Sequence, residues 1–484
     1  KKVLLSGHHT SHEASSFFSS DCNEAAILTL DGVGEWGTTT LGVGKDNKMK
    51  VLKEINFPHS LGLLYSAFTA YLGFRVNGGE YKVMGMAPYG QPKYVDKVKK
   101  VVRIFPDGSY RLNLDYFSFY NSLNRTYSNK FVELFGEPRE KESKFFTRET
   151  GWPSYFGPKP TGEEYDKLAE KQEYFADIAA SIQAVHEELV IGLAEKLHKL
   201  TGLKRLCLAG GVALNSVANW KLLKNTPFEE LYIQPSSGDS GGALGAALAV
   251  YHIGLNQPRK YKLEHTYYGQ QYSEKDILNV IKQNKLKYKK LERDENLYDA
   301  VSDHIINGKV IGWYQGRFEW GPRALGSRSI LADPRSEEMK DIVNTKIKFR
   351  EPYRPFAPSV LSEQASDFFG IPEFDSYHPA RFMLFVVPVK EDKRKLVPAI
   401  THVDGSARPQ LVHRQYSKRY WELINAFYRK TGVPLVLNTS FNLRGEPIVS
   451  TPADAYSTFK RSGIDVLVLG NYIIEKDSNF SEED

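Results

Sequence analysis

Two stretches in the first half of the chain follow one plan. "KRLCLAGGVALNSVANWKLL" (204–223) and "ELYIQPSSGDSGGALGAALAVY" (230–251) each run from an apolar strand through a glycine turn into a helix. Strand–turn–helix units in series form an α/β domain with a parallel sheet, and such a sheet collects ligands at the C-terminal ends of its strands. Upstream, "EAAILTLDGVG" (24–34), "WGTTTLGVG" (36–44) and "MKVLKEINF" (49–57) read as an antiparallel run. The first strand ends in Asp31 and a glycine turn, and the polar turn "KDNK" joins the other two. A helical pattern spans Ser60 to Leu72. A longer one places Phe175, Ile178, Ile182, Val185 and Leu189 on one face at steps of three and four. Residues 91–160 show no clean period and read as an irregular or helical insertion.

The expected organisation is a first domain over 1–255, a linker over 256–272 and a second α/β domain over 273–484. In the second, "KVIGWYQG", "FMLFVVPV", "PLVLNTS" and "DVLVLGNY" read as strands between arginine-rich loops. A chain of 484 residues exceeds one ordinary core, which agrees with two domains. Its net charge of +6 suits small anionic substrates, and without a dense basic tract nucleic acid is not an expected partner. Two cysteines, far apart, build neither a disulfide framework nor a CxxC site, so a reducing cytoplasm is the simplest compartment. No apolar run reaches membrane-spanning length.

"SGHHTSHEASSFF" (6–18) gathers three of the twelve histidines. On a helix, His8 and His12 fall on one face within reach of a single metal, with Ser6 or Thr10 as the cap. The bland alternative is a pair that only caps and packs a helix start. The HExxH signature fails because Ser16 stands where its second histidine would. Asp31 is the best third ligand, and Asp239 is a second carboxylate at a glycine turn opening a helix. Gly32 and Gly34 after Asp31, and Gly210, Gly211 and Asn215 in "AGGVALN", bring backbone N–H groups suited to phosphate. Three glycine turns around one histidine pair favour metal and nucleotide binding over the bland alternative. His9 has no role in this reading.

In the second half, Arg317, Arg323, Arg328, Arg350, Arg354 and Arg408 lie among glycines and prolines rather than along helical charge stripes. Arginine held that way suits bidentate recognition of phosphate or carboxylate. Lys346 and Lys348 add charge. Asn438, Ser440 and Asn442 bring donors and acceptors to the end of an apolar strand.

These motifs, with "GGEYKVMGMAPYG", "GRFEWGPRALGSRSIL", "KFREPYRPFAPSV" and "NTSFNLRGEPIV", stand in the order found in the O-carbamoyltransferases of nodulation-factor and antibiotic biosynthesis. The chain resembles that family over nearly its whole length. The resemblance implies an actin-like (ASKHA) ATPase domain similar to that of the tRNA threonylcarbamoyl transferase, followed by a YrdC-like α/β domain. It implies that carbamoyl phosphate and ATP, with Mg2+, give carbamoyl adenylate in the second domain. The carbamoyl group then passes to a small-molecule hydroxyl at a metal site, iron in the family, in the first. By motif position His8, His12, Asp31 and Asp239 match the metal ligands, and Arg317, Arg350 and Arg354 match the carbamoyl-phosphate and adenylate contacts. His8, His12, Arg317, Lys348, Arg350 and Arg354 are the residues expected to carry catalysis. The nucleotide and carbamoyl site is expected to draw on Gly32, Gly34, Gly210, Gly211, Asn215, Arg323, Arg328, Arg408, Asn438, Ser440 and Asn442 as well. Family members carry a further segment before the histidine motif, so this chain is expected to lack the first strands of that domain or to find them in a separate fragment. A homodimer is left open. Rival readings are a threonylcarbamoyl-type tRNA-modifying enzyme and an inactive metal-binding scaffold of the same fold.

Overall fold

Among the described residues the strands assemble into two large sheets, one in each of two units, Lys1–Leu263 and Glu264–Asp484, beside two small two-stranded ones. The computed structural model describes residues 3–141, 143–153, 156–350, 353–477 and 479. Both units combine sheets with packed helices, an α/β fold.

The first unit opens with helix α1 (His8–Phe17), which leads into strands β1 (Glu24–Gly34), β2 (Gly37–Lys45) and β3 (Lys48–Asn56). Helix α2 (Leu61–Tyr71) follows, capped by Ser60, whose side chain accepts from Leu63 N–H. Beyond the insertion come the long helix α3 (Glu163–Thr201), strand β4 (Arg205–Ala209), helix α4 (Ser216–Asn225), strand β5 (Glu230–Ile233) and helix α5 (Asp239–Ala249). The sheet order is β3-β2-β1-β4-β5, antiparallel on the β3 side, with β1, β4 and β5 parallel. The C-terminal ends of β1, β4 and β5 therefore lie side by side.

Two local expectations change. β1 does not stop at Asp31 but continues to Gly34, with an irregular register between Leu30 and Gly34, and the reversal falls at Glu35–Trp36. The N-cap of α1 is Gly7 rather than Ser6 or Thr10; the Ser11 hydroxyl donates instead to Gly7 O and Ser6 Oγ. Cys22 and Cys207, distant in sequence, are free thiols in one buried cluster at the foot of α1.

The second unit carries strands β6 (Lys289–Lys290), β7 (Ile311–Tyr314), β8 (Arg328–Ala332), β9 (Ala357–Leu361), β10 (Gln410–Val412), β11 (Leu435–Ser440), β12 (Val466–Leu469) and β13 (Tyr472–Glu475). They form one mixed sheet ordered β10-β9-β11-β8-β7-β12-β13-β6. Of "FMLFVVPV" only Val387–Pro388 is strand, paired with Ser406–Ala407. Phe382, Leu384 and Phe385 are buried, but Met383 is left-handed (φ 58°) and breaks the extended run. The stretch 256–272 is not free chain: Arg259 donates to Phe17 O, Ser20 O and Cys22 O in the first unit. From Glu264 onward the chain joins the second unit, where Tyr267 Oη donates to Leu325 O and Gly269 N–H to Phe318 O.

Candidate active site

Helices α1 and α5 meet through small residues. A Cβ on Gly245 would stand 1.7 Å from Ser11 O, so only glycine permits this approach. The contact brings Asp239, at the start of α5, over the first two turns of α1. The His8 and His12 rings, four residues apart, face β1 from one side of that helix. Asp31 Oδ2 lies 3.0 Å from His8 Nε2 and 3.5 Å from His12 Nε2, while Asp239 Oδ1 lies 3.6 and 3.5 Å from the same atoms. The four donor atoms stand within 4.8 Å of one another.

Asp31 is fixed from both sides. Its Oδ1 accepts Gly211 N–H at 3.0 Å, and its carbonyl accepts the Ser60 hydroxyl at 3.1 Å. Gly210, at φ +91°, sets that turn: a Cβ there would stand 2.0 Å from Leu30 O. Burial by itself would raise the Asp31 carboxyl. Bonds from His12, Gly211 N–H and His8 outweigh it and hold the group well below the usual carboxylate range. The His8 and His12 Nε2 atoms are 3.0 Å apart and both face carboxylate oxygens. One proton can serve only one of those two nitrogens as donor, whereas one cation satisfies all four donors together. Two imidazoles with two carboxylates suit a divalent transition metal, so these residues fit such an ion.

The other turn residues of the first unit divide. Gly34 packs against the His8 ring, and Gly32 O accepts the Ser60 hydroxyl. Asn215 caps α4 through Ala218 N–H and exchanges two amide bonds with Gln183, so its side chain is engaged by the fold. Glu13, absent from the expectations, is buried beside His12; burial pushes its carboxyl up to about 7 despite a 2.7 Å bond from the Thr40 hydroxyl.

In the second unit, five predicted cations converge. The charged neighbours of half-buried Arg408 are Arg323, Arg350 and Arg354, and after loss of water they weigh most against its charge. Burial, then Arg350 and Arg354, push Lys348 well below the usual ammonium range, opposed by Glu446. Lys348 Nζ is held by the strand-end loop: it donates to Asn442 Oδ1 at 2.7 Å, Asn442 O at 2.9 Å, Ser440 Oγ at 3.2 Å and also Ser440 O. Lys348, Ser440 and Asn442 are thus one assembly. Lys346 is not among the charged neighbours of Lys348 or Arg408.

Three predicted residues of this unit are engaged elsewhere in the fold. Arg317 stays outside the cluster. The chain turns at Gly316 (φ +50°), and the exposed guanidinium donates to Gly269 O. Arg328 lies on β8, fully buried over the Tyr314 ring, and donates to Gln315 O, Ser327 O and Gly316 O, so it braces the sheet. Asn438 is likewise scaffold, its amide donating to Ala324 O, Ser359 Oγ and Gln410 Oε1. In this unit Glu319 is a residue absent from the expectations. It is buried, and one carboxylate oxygen accepts N–H groups from Leu325, Ser327 and Arg328 at 2.8, 2.6 and 3.2 Å. Its signal was an acid inside the aromatic run "FEW" directly before Gly-Pro.

Family models for the carbamoyltransferase N-terminus and C-terminus match residues 1–248 and 302–476. The chain is an enzyme of the carbamoyltransferase family. This carbamoyltransferase is 44% identical to an uncharacterized protein of Synechocystis, over 98% of the chain and 76% of that relative. The nodulation protein NolNO of Sinorhizobium fredii is 40% identical over 98% of the chain, which spans 64% of that relative. The nodulation protein NolO of Bradyrhizobium diazoefficiens is 39% identical, over 97% of the chain and 78% of the relative. Among solved structures, HypF of T. kodakarensis aligns with a TM-score of 0.26 at 19% identity, over 52% of this chain and 38% of that one, too slight a likeness to argue from. Among the described residues no helix is long and apolar enough to cross a membrane.

Proposed function

We propose that this carbamoyltransferase is ATP-dependent and divides its reaction between its units, the first acting as an actin-like domain and the second as a YrdC-like one. The observation that carries the reading is the cation cluster of Arg323, Lys348, Arg350, Arg354 and Arg408. Half-buried guanidinium groups gathered around a buried lysine suit anionic ligands, and carbamoyl phosphate with Mg2+-bound ATP supplies them. Carbamoyl phosphate loses phosphate to water, leaving carbamate. A carbamate oxygen then attacks the α-phosphorus of ATP, the bond to pyrophosphate breaks, and carbamoyl adenylate forms. The cluster's part is to hold the two polyanions in reach and to offset charge on the departing pyrophosphate. Glu319 is a positioning residue: its three N–H bonds fix the loop that carries Arg323.

In the first unit the acceptor hydroxyl oxygen attacks the carbamoyl carbon. The bond to AMP breaks with its electron pair on the AMP oxygen, and the hydroxyl proton passes to water. His8, His12, Asp31 and Asp239 would hold a divalent ion, Fe2+ by resemblance. When bound, that ion supplies positive charge that polarises the carbamoyl group and lowers the acceptor's pKa. Gly211 N–H and Ser60 orient Asp31 for this purpose.

Carbamoyl-phosphate-dependent exchange between ATP and pyrophosphate tests the reading directly. Folded, metal-supplied protein should catalyse it, and no exchange would overturn the adenylate route. In the same assay His8→Ala with His12→Ala should leave exchange within about twofold while bound metal, measured by mass spectrometry, falls to background. Loss of exchange in that variant would contradict the division between units.

A further inference from the structure

The insertion after α2 builds a second concave site. A cavity of ≈ 630 Å³ opens at the far end of α2, within the size range of small-molecule sites. Its floor is fixed. Gly73, at φ +76°, lets the backbone of Arg139 and Glu140 close against the end of the helix. Buried Arg139 donates to Leu72 O and Gln172 Oε1, and its own N–H donates to Tyr71 O.

The walls carry Arg75, Arg125 and Lys141 against one carboxylate, Glu137, with Phe74 and Tyr127 as aromatic surface. Among the described residues neither Arg75 nor Lys141 has an ion-pair partner, and Arg125 donates only to the neutral Asn129 amide, at 2.7 Å. Three cations facing one acid across a concavity focus positive potential into it. This is a different place from the histidine–aspartate cluster. Ser60, at the start of α2, bonds Asp31 O, whereas the cavity lies beyond the other end of that 11-residue helix, about 16 Å away at 1.5 Å per residue.

We infer that this cavity binds the anionic end of an extended acceptor: a phosphate, sulfate or carboxylate group on a sugar-sized body, with the reacting hydroxyl on another part of the same molecule. The guanidinium of Arg75 and the ammonium of Lys141 take the anion, Arg125 is held by Asn129 to close the far side, and Tyr127 offers a face to the sugar ring. The anion site stands by itself; its assignment to the acceptor rests on the proposed transfer in the first unit.

The probe is glucose 1-phosphate with glucose as control, read by hydrogen–deuterium exchange on the full chain. Glucose 1-phosphate should protect peptides covering 73–76 and 124–141, and glucose should not. R75E with K141E should abolish that protection without shifting the thermal midpoint, both residues being on the cavity surface. Absence of protection in the wild type at millimolar probe, or equal protection in the variant, overturns the site. Mass spectrometry of carbamoylated product then separates the two sources of anion. If the acceptor carries it, maltotetraose 1-phosphate, long enough to span the roughly 16 Å between cavity and cluster, is carbamoylated in preference to maltotetraose. The R75E/K141E pair then raises its KM by about 10- to 100-fold at similar kcat. Equal use of both sugars would refute the acceptor assignment and leave the cavity to a free anionic metabolite. ATP–pyrophosphate exchange, a reaction of the second unit, is unchanged by these substitutions, so its loss would count against the proposed function instead.

Discussion

His186 is buried on α3 with its ring 4.9 Å from that of Tyr65, and burial pulls its pKa down to about 3. It is neutral in the fold while the unfolded chain takes up a proton below about 6.5. Stability is therefore full above that value and declines as pH falls toward 3, by about 2 kcal/mol at pH 5. His186→Phe should remove this component, so urea unfolding at pH 7 and pH 5 should show a smaller loss than in the wild type. An equal loss would mean that the ring becomes charged within the fold. Gly210 is the second residue where one atom matters. Gly210→Ala meets Leu30 O at 2.0 Å in a left-handed turn, and should destabilise by about 2 kcal/mol or more while weakening metal retention through Asp31. Chemical denaturation with metal analysis checks both effects.

At the scale of elements, the metal cluster depends on the spacing of α1 and α5. Gly245→Val leaves all four donor residues in place but wedges the helices apart at Ser11. It should cost a few kcal/mol and lower metal affinity by at least tenfold, as isothermal titration would show. Retained affinity would mean that Asp239 is dispensable. In the second unit the loop before β8 is an element without regular hydrogen bonds, and Glu319 substitutes for them. Glu319→Ala strands three buried N–H groups and should cost about 3 kcal/mol or more. Glu319→Gln keeps one acceptor oxygen and should retain most of that stability.

For the whole molecule, the two units hold different chemistry: donors for a cation in the first, a cluster of cations in the second. Divalent metal at about 100 times its dissociation constant should stabilise the first unit by about 2.7 kcal/mol and leave the second unchanged. Calorimetry with and without a chelator should thus move one transition only. A shift of both by the same amount would show the units melting as one.

The sequence by itself determined much of this protein. Strand–glycine–helix patterns depend on local periodicity and steric freedom, so the parallel part of the first sheet was legible. His8 and His12 were legible as a pair because helical geometry is local. Their meeting with Asp31 and Asp239 was inferred from glycine turns at strand ends, where chain direction follows from the fold class. Other features belonged to tertiary structure alone. Arg317, Arg323 and Arg328 look alike in sequence, yet one is exposed, one joins the cluster and one braces a sheet. "FMLFVVPV" has strand composition but not strand backbone, and Cys22 meets Cys207 only because α1 and β4 pack on one core. The physical reason is the same in each case. Burial and long-range hydrogen bonding decide what a polar or apolar side chain does, and both are set by residues remote in the sequence.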